Sequence, residues 1–80
     1  MFRFHYERLR RKWPQTHLAA LTGINQVYLS LMENGRMMPN DEELGRLAGA
    51  LGVFPPSVLL KPVLVEPPEV EEPQVQAEAR

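Results

Sequence analysis

Residues 15–35 read QTHLAALTGINQVYLSLMENG, and this stretch decides the fold. Leu18, Ala19 and Leu21 form an apolar-periodic run that stops at Gly23. Two residues later Asn25 suits the N-cap of a second helix, whose own apolar stripe is Leu29 and Met32. That helix closes in Glu33-Asn34-Gly35. Two short helices meeting at a tight glycine turn are therefore expected, because glycine takes the left-handed conformation that ends a helix.

Outward from this pair the pattern stays helical. Helix one is expected over about residues 4–12, with Phe2, Tyr6 and Leu9 on one apolar face and a basic face opposite. Trp13 should cover the core between helices one and two, and Pro14 suits a first helical position, where its missing N–H costs nothing. Helix two then spans about residues 14–22 and helix three about residues 26–34. After a loop at Arg36-Met37-Met38-Pro39, Asn40 or Asp41 caps helix four. Leu44, Leu47, Ala48 and Leu51 form its core stripe and Gly52 its stop. Gly45 and Gly49 read as points of close helix packing. A short fifth helix over about residues 55–60 turns Val58 and Leu59 inward.

Eighty residues allow one domain. There is no cysteine, so disulfides and cysteine-based zinc sites are excluded. His5 and His17 lie far apart without a carboxylate at ligand spacing, so they read as surface or boundary residues and no metal is expected. No apolar run approaches the roughly 18 residues of a membrane span. The opening residues MFRFHYERLRRK lack the apolar core of a signal peptide. The expectation is a soluble, cytoplasmic protein.

The formal net charge of -1 hides an asymmetry. Residues 1–60 carry seven basic and five acidic side chains, whereas residues 61–80 carry two basic and five acidic ones. This defines a body, residues 1–60, and an acidic, proline-rich tail, residues 61–80. Pro62, Pro67, Pro68 and Pro73 block helix there, and little apolar surface remains to offset ordering entropy. Glu66 onward is expected to be largely disordered, while the β-prone Val63-Leu64-Val65 run could pack on the body or on a second subunit. Walker-type glycine loops and serine–histidine pairs at helical reach are missing from the sequence, so no enzyme and no cofactor is expected.

The glycine-turned pair is the sequence form of a helix-turn-helix. Gln15, Leu18-Ala19, Gly23-Ile24, Tyr28-Leu29-Ser30 and Glu33-Asn34-Gly35 resemble the Cro/CI-type, or xenobiotic-response-element (XRE), family. So do Pro39, Leu44, Leu47-Ala48, Ala50-Leu51-Gly52-Val53 and Val58-Leu59. The resemblance covers about residues 4–60 and implies an all-α, compact five-helix, lambda-repressor-like bundle, here followed by a flexible tail. The sequence departs from the family in the short connection between Leu9 and Gln15, where Trp13-Pro14 replaces the usual glycine. It departs again at Leu31, where Arg, Lys or Gln is common.

The resemblance also implies roles. Gln15 begins helix two and would contact a phosphate. Gln26, Val27, Ser30 and Leu31 occupy the positions that face bases. Gln26 could bond adenine at N7 and N6 or donate to guanine. Val27 and Leu31, four apart, share a face and could cover thymine methyl groups, with Leu31 expected outward. Asn25 caps helix three or reaches a phosphate, and the Tyr28 hydroxyl and Arg36 would reach phosphate. Arg10, Arg11 and Lys12 either join them or form a plain solvated face. Glu33 pairs in the family with an arginine of helix one, here Arg8 or Arg10, and Arg10 is assigned as the structural partner.

The function so implied is a sequence-specific regulator, a repressor, that binds double-stranded DNA as a homodimer on a palindromic operator. The rival is a protein-interaction module or antitoxin on the same fold, whose partner engages the apolar helix-three face or the acidic tail.

Overall fold

The computed structural model describes residues 1–64. The expectation of disorder from Glu66 onward lies outside the described residues, as does Val65. Helix α1 spans Arg3–Arg10, α2 Gln15–Thr22, α3 Gln26–Glu33 and α4 Asp41–Leu51, followed by a 3-10 helix at Pro56–Leu60. The all-α expectation holds. The fifth element is 3-10 rather than α: its five residues follow Pro55 as N-cap and bond i→i+3, as in Val58 N–H to Pro55 O (3.0 Å) and Lys61 N–H to Val58 O (3.1 Å).

Local chemistry accounts for the boundaries. The Asn40 side chain accepts from Glu43 N–H, and Glu43 returns the bond to Asn40 N–H, a complete capping box opening α4. Asn25 Oδ1 accepts from Val27 N–H (2.8 Å) and opens α3. Gly23, at φ 74°, closes α2 with its N–H on Ala19 O (2.8 Å). The end of α1 uses the same left-handed geometry without a glycine. Lys12 has φ 61°, Lys12 N–H bonds Leu9 O and Trp13 N–H bonds Arg8 O. This is a Schellman motif with lysine at the left-handed position, and it is how the shortened α1–α2 connection is made.

The core is one cluster of Phe4, Leu18, Ile24, Leu29, Met32, Leu44, Leu47, Ala48, Leu51 and Leu59, with Trp13 packed against it. Helix α4 packs on α1, α2 and the 3-10 helix. Three expectations need correction. The buried face of α1 is Phe4, Glu7, Arg8 and Leu9, while Phe2 and Tyr6 are only half-buried. An apolar periodicity misses this face because two of its members are charged. In α2, Leu21 is 51% exposed and Thr22 is buried instead. The Thr22 hydroxyl donates to Leu18 O (2.8 Å) and accepts from Ile24 N–H (3.3 Å), so its burial leaves no polar group unpaired. In α4, Gly45 and Gly49 face solvent, and an added Cβ at either meets nothing within 4 Å. They are not packing points.

The body continues past Leu60. Phe2 and Pro62 form an antiparallel bridge, with Arg3 N–H on Lys61 O (2.9 Å) and Val63 N–H on Met1 O (2.8 Å). Val63 is thus bonded to the body, whereas Leu64 is 93% exposed, so the described part of the β-prone run meets the body only at its first residue.

Candidate nucleic-acid interface

The interface begins in a buried ion pair. Arg8 on α1 donates from Nε to Glu33 Oε2 (2.7 Å) and from Nη2 to Oε1 (3.0 Å). Both side chains are almost wholly buried, and the two parallel bonds satisfy charge and geometry together. The partner of Glu33 is thus Arg8 and not Arg10. Arg10 follows Arg8 by two positions and turns to the other side of α1, where its Nε donates to Glu7 Oε1 (2.9 Å). Arg8 also donates to Trp13 O (2.7 Å), so one guanidinium ties α1 to α3 and to the start of α2.

From Glu33 the bonding runs outward. Gln15 Nε2 donates to Glu33 Oε1 (2.9 Å), and Gln26 Nε2 donates to Gln15 Oε1 (3.4 Å). His5 Nε2 lies 3.4 Å from the same Oε1. A relay Arg8–Glu33–Gln15–Gln26 therefore leads from the core to the first residues of α2 and α3. Those N termini also carry outward N–H groups and partial positive charge.

Around the two amides, Val27 is 64% and Tyr28 50% exposed, and Asn25 and Gln26 are exposed too. Asn25 spends its side-chain oxygen as the α3 cap. Ser30 and Leu31 are half-buried, so Leu31 lies at the edge of this face rather than in the core. Arg36 is exposed just after Gly35, its N–H bonded to Leu31 O (2.9 Å).

A second charged cluster escaped the sequence reading. Glu7, with its side chain 2% exposed, accepts from Arg3 (2.6 Å), Arg10 (2.9 Å) and Arg11 (2.6 Å). Burial pushes its carboxyl up, but the bonds from Arg11, Arg3 and Arg10 more than reverse this and hold it at about 2. Arg10 is raised in turn, chiefly by its bond to Glu7. Arg11 also donates to Leu51 O (2.8 Å), closing the end of α4, and its guanidinium lies 5.6 Å from the Trp13 ring centroid. The signal was present: Arg3, Arg10 and Arg11 stand at i−4, i+3 and i+4 from Glu7. The consequence is electrostatic. Among the described residues, Arg3, Arg8, Arg10, Arg11 and Arg46 are taken up in ion pairs, whereas Lys12, Arg36 and Lys61 stay outside them and exposed.

A glycine-turned helix pair with the amide-bearing start of its second helix outward defines a helix-turn-helix domain. A family model described as helix-turn-helix matches residues 5–58, well over half of the chain. The chain belongs to this family, in its XRE branch, a family of DNA-binding regulators and not of enzymes. No curated protein and no solved structure matches the chain significantly. No helix among the described residues is long and apolar enough to cross a membrane.

Proposed function

We infer that this protein is a transcriptional repressor that binds a palindromic operator as a homodimer, with α3 in the major groove. The observation that carries this reading is the Gln15–Gln26 amide pair on an exposed face shared with Val27 and Tyr28. In this reading Gln15, Arg36, the Tyr28 hydroxyl and the N terminus of α2 hold phosphates and set the register. Gln26 meets a base edge, and Val27, with Leu31 beside it, covers thymine methyl groups. Ser30 lines the inner edge of the same face.

A dimer follows from charge. With most arginines occupied internally, one domain neutralises few phosphates and its non-specific affinity is low. Two half-sites about one helical turn apart would supply the missing affinity. The test is selection of bound sequences from random duplex DNA, followed by titration across salt. Enrichment of an inverted repeat and affinity falling steeply with salt are the expected results; no enriched sequence would end the proposal.

The exposure of Val27 and Tyr28 favours one rival, in which the same apolar face binds a protein. Binding of that kind would persist at high salt, where duplex binding is lost.

A further inference from the structure

We propose that residues 66–72, the first acidic stretch of this chain's own tail, dock on Arg36 at the end of α3 and compete there with DNA phosphate. This rests on the preceding reading that the α3 face binds DNA.

The tail leaves the body close to Arg36. Arg3 N–H bonds Lys61 O and Val63 N–H bonds Met1 O, so residues 61–63 are strapped to the start of α1. Pro62 lines an open cleft together with Met1, Phe2, Glu33, Asn34 and Gly35. The strap therefore runs beside the C-terminal end of α3, and Arg36 is the residue that follows Gly35. The bond from Arg36 N–H to Leu31 O holds it on the helix that carries Gln26 and Val27. Leu64, exposed, ends the described chain at an edge of the proposed DNA face.

Charge selects the occupant. Residues 1–64 carry eight basic and five acidic side chains, but five of the arginines are taken up in the body's own ion pairs. Of the exposed cations outside those pairs, Arg36 and Lys61 directly adjoin the residues that line the cleft. Residues 65–72 read VEPPEVEE, with four carboxylates and no basic side chain. Pro67 and Pro68 have no N–H with which to prolong the backbone pairing at Val63, so side-chain charge is what this stretch offers. Reach is not limiting. At no more than about 3.6 Å per residue, Glu66 stays within about 7 Å of Leu64 and Glu72 within about 29 Å, against a body 30 Å in its longest dimension. A tethered group acts at roughly millimolar local concentration, so even weak carboxylate–guanidinium pairs are populated at low salt. Each must break before a phosphate takes the same guanidinium.

The test compares the full chain with a variant carrying Glu66→Gln, Glu69→Gln, Glu71→Gln and Glu72→Gln. Amide proton–nitrogen spectra of the free protein are recorded at about 10 mM salt, where charges act over about 30 Å. The variant should shift the amides of Gly35, Arg36 and Lys61 and leave Arg46, already paired with Glu42 on α4, unmoved. The shifts should vanish near 1 M salt, where the screening length is about 3 Å. On a random duplex at low salt the variant should bind roughly threefold or more tightly than the wild type. Removal of negative charge also lessens general repulsion, so the same substitutions are repeated in Arg36→Ala. Docking on Arg36 predicts that the gain there falls below about twofold, whereas general repulsion leaves it at full size. An unmoved Arg36 amide, or an undiminished gain in Arg36→Ala, overturns the proposal and leaves the tail to solvent or to a protein partner. Shifts that fade on dilution assign the acidic stretch to a second copy and overturn it likewise. If no duplex is bound at any salt, the DNA reading falls and the competition with it, while the shifts in the free protein decide docking by themselves.

Discussion

Acid should destabilise this domain through Glu7, and the size of the effect follows from the structure. The Glu7 carboxyl falls from an ordinary 4.5 to about 2 on folding, against the opposing push of its own burial. At about 1.36 kcal/mol per pH unit, that drop is worth an upper value of about 3.4 kcal/mol. The Arg3 and Arg10 side chains are 40% and 52% exposed, so solvent screens their share and about 2–3 kcal/mol remains. The sign is set by the depressed folded value. The contribution is fully present above pH 4.5 and is lost as pH falls toward about 2. Urea denaturation followed by circular dichroism through this window, on wild type and on Glu7→Gln, isolates it. The two proteins share every other group, so their difference reports on Glu7 alone. The variant should be less stable by about 2–3 kcal/mol near neutrality, a large part of a net stability of order 5–10 kcal/mol, and the gap should close toward about pH 2. A gap that stays constant with pH, or one below about 1 kcal/mol at neutrality, would refute the claim that three arginines hold this carboxylate.

Other expectations are independent of that cluster. Gly45→Ala and Gly49→Ala should each stabilise the domain by about 0.5–1 kcal/mol in thermal or urea melts, because both sites are open helix-interior positions. A loss of stability at either would mean an unseen packing role. Lys12→Gly should stabilise by roughly 0.5–1 kcal/mol, since φ 61° strains a side-chain-bearing residue and not glycine. Arg36→Ala should weaken binding to every duplex and lower the magnitude of the log–log salt slope by about 0.9. Gln26→Ala should cost roughly 1–3 kcal/mol on the selected site and leave random duplexes nearly unaffected. Equal losses on both classes of DNA for both variants would contradict these roles.

Legibility in the sequence followed the range of the forces involved. The turn at Gly23, the caps at Asn25 and Asn40, the stop at Gly52 and the stripe of α4 were readable because each is settled within about one helical turn. A left-handed glycine, a short acceptor three residues from an N–H and leucines at helical spacing act locally, whatever the rest of the chain does. That these segments form one helix-turn-helix body was carried by their resemblance to the XRE family. Only tertiary structure chose between Arg8 and Arg10 for a carboxylate 25 residues away, since both are arginines on one short helix. Desolvation made the choice: the arginine turned into the core must be paired there, and Glu33 is the buried anion it meets. Tertiary packing likewise buried Glu7 among three cations, drew most of the basic front into the protein's own ion pairs, and turned Leu21 out and Thr22 in. The direction of the Gln15–Gln26 relay belongs to the same class, because an amide has no preferred end until a buried charge supplies one.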